Sequence, residues 1–163
     1  MNKNNIKVSS IPQVVEKPGF KVIGTSCETT MDEKDIKIPR LVSDFQVNRI
    51  ADIHNRINAP RSYGIFVDPP GWNPDTEPFT WIAAVEVDNL DFIPEGMVWK
   101  ALPAHQYATL SYNPSVDEMD PYQFLHGWIK ENGYHQLGSF GFEMYEQYTG
   151  PDTEYTLYLP VGR

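Results

Sequence analysis

Apolar and polar positions along this chain change period several times, and each change marks an element. Phe20 to Thr29 is rich in β-branched and apolar residues and predicts a strand. From Pro39 the spacing lengthens. Val42, Phe45, Ile50, Ile53 and Ile57 fall close to one helical face, with Asp44, Arg49, Asp52 and Arg56 elsewhere. Asn58 and Pro60 stop that helix. Strands are predicted at 63–68 and 80–88, and the proline-rich run Pro69 to Asp75 between them is irregular. Two further strands, 97–102 and 105–112, flank Pro103. The second helix has a clear start: Asp120 is the N-cap, Pro121 the first helical position, and Gln123 completes a capping box. Its apolar stripe is Tyr122, Leu125, Trp128 and Ile129, and Asn132-Gly133 closes it. Strands 140–148 and 154–161 make a final hairpin over Thr149-Gly150-Pro151-Asp152. Residues 1–17 are expected to be a tail or a short edge strand preceding a domain of residues 18–163.

Strand, helix and hairpin occur twice in that order, so the domain divides into halves at 18–90 and 96–162. Gly64 and Gly141 hold matching places, as do Trp81 to Val85 and Tyr155 to Leu159. The predicted fold class is α+β: duplicated βαββ units forming one antiparallel sheet, both helices on one face, and a ligand cleft between the halves. The cleft is expected on the face opposite the helices. Side-chain alternation puts Phe140, Phe142 and Met144 on one face of the 140–148 strand and Gly141, Glu143 and Tyr145 on the other. The all-apolar set is expected beneath the helices, which leaves Glu143 on the cleft face. By the repeat, Phe66 takes the matching position of the first half, with Tyr145, Tyr158, Trp81 and Trp128 as neighbours.

Composition narrows the chemistry. The 163 residues carry a net charge of −9, with no cluster of Lys or Arg. Direct nucleic-acid binding and attachment to anionic membranes are therefore not expected. Aromatic residues make up 13% of the chain, enough to build both a core and a ring-lined site. A single cysteine, Cys27, excludes an internal disulfide and is expected as a half-buried strand residue. Met1 to Ser10 is polar and lacks the apolar run of a signal peptide, so a cytoplasmic protein is expected. His54, His105, His126 and His135 have no metal-ligand spacing, and no nucleophile elbow or glycine-rich phosphate loop occurs. No metal and no cofactor are expected. A carboxylate among aromatic rings has a different use: ring faces attract cations, and a desolvated carboxylate adds a charge pairing that water would screen.

The second half resembles the GyrI-like small-molecule-binding domain, which is also the effector-binding domain of AraC- and MerR-type transcription regulators. The resemblance is carried by Ala108-Thr109-Leu110-Ser111, the helix from Tyr122 to Asn132 with Trp128, Gly133-Tyr134, Phe142-Glu143-Met144-Tyr145, and Tyr155 through Val161. Tyr63 to Val67 and Ala84 to Val87 extend it into the first half. It implies a SOUL/GyrI-like fold with an effector cleft between the halves. The family's cleft glutamate maps to Glu143, and its cation-contacting aromatics to Tyr145, Tyr158 and Trp128. Trp81 and Phe66 join the site by parity and repeat alone. Two features depart from the family pattern. No DNA-binding segment is legible, so a stand-alone form is expected, and the long loop 69–79 with Trp72 could act as a lid. Glu86 is expected to be structural or on the surface.

Three functions follow as alternatives. The first is a stand-alone binder of small, apolar, cationic drugs, with Glu143 pairing the charge and Tyr145, Tyr158, Trp128, Trp81 and Phe66 as walls. The second is a hydrolase of cyclopropane-type genotoxins, with Glu143 as general base and Tyr145 orienting water. The third is a gyrase-inhibitor-like protein acting on a protein partner through its acidic surface. Binding is favoured over catalysis. A homodimer through an exposed edge strand is left open, as is the role of the 69–79 loop.

Overall fold

The computed structural model describes residues 11–163. Residues 1–10, most of the expected tail, lie outside the described residues. The strands are β1 (Gln13–Lys17), β2 (Phe20–Thr29), β3 (Ser62–Val67), β4 (Phe79–Val87), β5 (Val98–Leu102), β6 (His105–Tyr112), β7 (His135–Gln136), β8 (Phe140–Tyr145) and β9 (Tyr155–Gly162). The helices are α1 (Lys34–Asp44) and α2 (Pro121–Glu131). All strand pairs are antiparallel, in the order β1-β6-β9-β8-β3-β4-β2-β5, with β7 added beside β9. The two βαββ units are β2-α1-β3-β4 and β6-α2-β8-β9, and they meet at the β3–β8 pair.

Two short links decide the shape of this sheet. Pro18-Gly19 joins β1 at one end of the order to β2 near the other, and Pro103-Ala104 joins β5 at the far end to β6 near the first. A flat sheet of this width separates those strands by far more than two residues can span. The sheet therefore curls until its ends approach. Phe20 on β2 and Phe142 on β8 are three strands apart in the order, about 14 Å in a flat sheet. Their ring centroids are 5.4 Å apart.

Curling gives the sheet an inside and an outside, both apolar. Inside lie Phe20, Val22, Tyr63, Ile65, Ile82, Leu102, Tyr107, Phe142 and Met144, a cluster without a helical residue. Outside, Val42, Phe45 and Ile53 of the α1 segment pack on Ile23, Ala83, Val85 and Val87. Leu125 and Ile129 of α2 pack on Ala108, Leu110, Leu157, Leu159 and Val161. Both helices thus lie on one face, as expected, but the parity argument chose the wrong set to lie beneath them. Phe142 and Met144 fill the inside of the curl, and Glu143 faces the helices. The face opposite the helices is a filled core, because a curled sheet can bury a second apolar face against itself.

Helix α2 follows its sequence signals: Asp120 Oδ1 accepts from the Tyr122 and Gln123 backbone amides at 2.9 and 3.4 Å, with Pro121 in the first turn. Helix α1 does not. It starts at Lys34, five residues before the predicted Pro39, because Thr30 caps the preceding turn through Glu33 N and Lys34 N. Pro39 then sits inside the helix, where its missing N–H falls opposite the carbonyl of exposed Asp35, which solvent can satisfy. The segment widens to a π-type turn over Phe45–Arg49, tightens to a 3₁₀ turn over Ile50–Asp52, and ends there, leaving Ile57 beyond the helix and 37% exposed. The repeat also aligns differently from the sequence match. Phe66 pairs with Trp81 as Glu143 pairs with Leu157, so Trp81 corresponds to Leu157 and not to Tyr155.

Where β2 crosses β4, the backbones approach closely. A Cβ on Gly24 would lie 1.9 Å from the Ala83 carbonyl oxygen, and neither backbone has room to yield. Gly24→Ala should lower unfolding stability in urea by about 3 kcal/mol, the upper end of overpacking costs. A loss under about 0.5 kcal/mol would place the approach within the tolerance of a surface change.

Candidate functional site

Strand β8 lies at the centre of the sheet, and Glu143 sits on it at the junction of the two halves. Its registered neighbours are Gly64 on β3 and Leu157 on β9, and the row continues from Gly64 through Ala83 to Thr25. Beside the carboxylate the floor is therefore made of small residues. The adjoining row pairs Gly141 with Phe66 and Phe66 with Trp81. Aromatic rings lie across both glycines. A Cβ on Gly64 would fall 2.5 Å from Cζ2 of Trp81, and one on Gly141 would fall 2.6 Å from the Phe66 ring. Each glycine thus gives a neighbouring ring the space to lie flat on the sheet.

Glu143 is 8% exposed. Tyr122 Oη, carried on the first turn of α2, donates to Glu143 Oε2 at 2.5 Å. Tyr145 Oη, two residues along β8 on the same face, donates to Oε1. The Asp120 cap fixes that first turn, so the helix start positions the Tyr122 phenol. Phe66 meets Tyr122 edge to face at 5.9 Å. Tyr145 in turn contacts Tyr148 at 5.3 Å and Tyr155 at 5.7 Å. The result is one carboxylate enclosed by phenols and aromatic rings.

Burial raises the Glu143 carboxyl above its ordinary value, and the two phenol hydrogen bonds and the Lys34 charge pull it back. Burial and then the Glu143 charge push Tyr122 and Tyr145 well above the ordinary phenol value, so both remain hydrogen-bond donors. None of the ion pairs among the described residues includes Glu143. Lys34, at the start of α1, pairs instead with Asp35 at 3.1 Å. No group of His, Cys, Asp and Glu able to hold a metal occurs among the described residues. Chemically, the site offers a buried carboxyl among phenols and aromatic rings, with no basic side chain in ion-pair contact among the described residues.

Of the residues singled out in the sequence, Glu143, Tyr145, Phe66 and Trp81 share this face. Tyr158 does not. It lies inside the curl, stacked on Phe142 at 4.6 Å and 14° and edge-on to Tyr107. Trp128, six residues after Tyr122 on α2, stacks on Tyr134 at 6.4 Å and 13°. Tyr122, Tyr148 and Tyr155 were not singled out. Tyr155 has the parity of Leu157 and Leu159, the residues beneath α2, so placing Glu143 on the helix face would have selected it in place of Tyr158. Loop 69–79 is held down by Trp72, whose Nε1 donates to the Glu77 carbonyl at 2.9 Å and whose ring meets Phe79 at 5.5 Å. Glu86 accepts from Asn58 and Tyr63, a structural use of the carboxylate. Surface hollows of about 560 and 570 Å³ lie beside Phe92 and beside Thr153, and Glu143 lines neither.

A carboxyl raised by folding gives stability that is fully present below the titration of the unfolded group and lost as pH rises through that of the folded one. The wild type should therefore lose stability relative to Glu143→Gln as pH climbs from about 4 toward neutrality. Urea midpoints of both proteins across that range check this. Parallel curves would mean that the carboxyl is not raised.

The described helices include none long and apolar enough to cross a membrane. Residues 13–161 match the family model described as Cass2, integron-associated effector binding protein. Transcriptional regulator BrlR of Pseudomonas aeruginosa is 27% identical over 155 residues, covering 91% of this chain and 54% of the regulator. The chain thus spans about half the length of that curated relative. Among solved structures, an integron cassette protein from the mobile metagenome of Vibrio cholerae aligns with a TM-score of 0.62 at 18% identity, covering 93% of this chain and 95% of that one. SAV2435 bound to tetraphenylphosphonium aligns with a TM-score of 0.67 at 15% identity and 94% coverage of both. These two likenesses are likenesses of fold, the duplicated βαββ arrangement expected of GyrI-like domains. The match over 13–161 is one of family, and the chain belongs to the integron-associated effector binding proteins, Cass2.

Proposed function

We propose that this chain binds small, apolar, cationic compounds on the helix-side face of its sheet, with Glu143 pairing the positive charge. The observation that carries this reading is the buried carboxylate itself. It is held by Tyr122 and Tyr145, whose rings meet Phe66, Tyr148 and Tyr155, and it forms no ion pair among the described residues. A desolvated carboxylate without a counter-ion is costly, and an arriving cation removes that cost. Aromatic walls add attraction for a positive charge without demanding one ligand shape. The fold neighbour SAV2435, bound to tetraphenylphosphonium, makes that ion a suitable first probe.

Both carboxylate oxygens already accept from phenols. That arrangement suits charge pairing directly. Charge pairing uses the carboxylate as it stands, so binding is the better reading of the geometry.

Tetraphenylphosphonium should quench tryptophan fluorescence saturably, and neutral or anionic compounds of similar size should not. Glu143→Gln should weaken the cation by about two to three orders of magnitude, the effect of removing one member of a buried charge pair. Wild-type affinity should rise with pH as the raised carboxyl ionises, and the variant should show no such rise. Equal affinity in wild type and variant would overturn the charge-pairing reading.

A further inference from the structure

Two buried polar atoms on the face of Glu143 have no hydrogen-bond partner among the described residues: Nε1 of Trp81 and Oγ1 of Thr25. Trp81 is 6% exposed and Thr25 8%. An unpaired buried donor is rare in folded proteins because it loses water and gains nothing. Two lie on the sheet face that carries Glu143, Thr25 in its own cross-strand row and Trp81 in the adjoining one. The third such atom, Nε of Arg56, belongs to a guanidinium already engaged through Nη2 with the Arg61 carbonyl, and it lies elsewhere.

Their placement is specific. Thr25 stands in the same cross-strand row as Glu143, separated from it by Ala83 and Gly64. The indole of Trp81 leans over Gly64, with Nε1 3.2 Å from where that glycine's Cβ would be. Gly64 and Glu143 are registered partners, and such pairs hold their Cβ positions about 5 Å apart. The indole N–H therefore lies within about 9 Å of the Glu143 Cβ, across a floor without side chains. Indole nitrogen donates and cannot accept. Its partner must be an acceptor, and no acceptor among the described residues, Glu143 included, bonds to it.

We infer that the site reads two features of its ligand: a positive charge at Glu143 and a hydrogen-bond acceptor, such as a carbonyl, at Trp81 Nε1. The ligand class is an apolar cation carrying an acceptor a few bonds from its charge, with the Thr25 hydroxyl as a further polar contact beyond it. This rests on the cation-binding reading of the same face and adds a polarity to it. Trp81 serves as a donor and not only as a wall.

A matched pair of probes tests this. One is triphenylphosphonium bearing a phenyl ketone at the end of a three-methylene arm. The other has a methylene in place of the carbonyl. Calorimetric titration of the wild type should give the ketone about tenfold higher affinity, the value of satisfying a buried donor. In Trp81→Phe, which keeps a ring and loses the donor, the ratio of the two affinities should fall to about one. The Trp81 indole N–H resonance should shift on adding the ketone and not its analogue, a readout that needs no variant. Equal affinities in the wild type, or an unmoved indole resonance with both probes bound, would overturn the acceptor site while leaving the cation site standing. If neither phosphonium binds, or if Glu143→Gln binds both as well as wild type, the cation reading fails and this inference falls with it.

Discussion

Everything in this molecule depends on the closure of its sheet. Two links of two residues each tie strands that lie near opposite ends of the strand order, and only a strongly curled sheet lets them reach. Closure turns one face inward, where rings from five strands pack on one another without help from a helix. It turns the other face outward, where the two helices must cover what remains apolar. The helices cover the flanks, one over the first half and one over the second. The row left at the junction carries Gly64 and Glu143. The position of the carboxylate therefore follows from topology before any chemistry is considered.

Much of this was legible in the sequence because local signals and global fold agreed. Asp120, Pro121 and Gln123 announced α2 to the residue, and the strands were marked by their flanking prolines and glycines. Helix α1 was misplaced because Pro39 looks like a helix start and Thr30, the residue that caps the turn before it, gives a weaker signal. The site was only partly legible for a different reason. Alternation along a strand assigns residues to two faces but does not say which face a helix covers. The usual rule, that the apolar set lies under the helices, fails when the sheet also packs against itself. One wrong choice of face brought in Tyr158, which packs inside the curl, and left out Tyr155, which contacts Tyr145. Tyr122 escaped notice because a tyrosine in the apolar stripe of a helix is ordinarily core.

The carboxylate is held in balance by opposing effects of similar kind. Burial favours its protonated form, and the phenols favour its ionised form, since both donate to it. The same two phenols stay protonated because they are buried and because the group they serve is close by. The phenols offset part of the cost of burial, which is how the fold tolerates a buried acid. It also leaves the acid responsive, because any positive charge that arrives changes the balance at once.

The β3–β8 junction relates the halves by an approximate two-fold, so that Gly64 faces Glu143 across it and Gly141 faces Phe66. The duplication supplied two equivalent positions, yet only one bears a charge; the other bears a ring. The junction is thus a directional surface inside a nearly symmetric frame, acidic toward one half and aromatic toward the other. The asymmetry lies in the side chains alone, because the backbone frame that carries them is common to both halves.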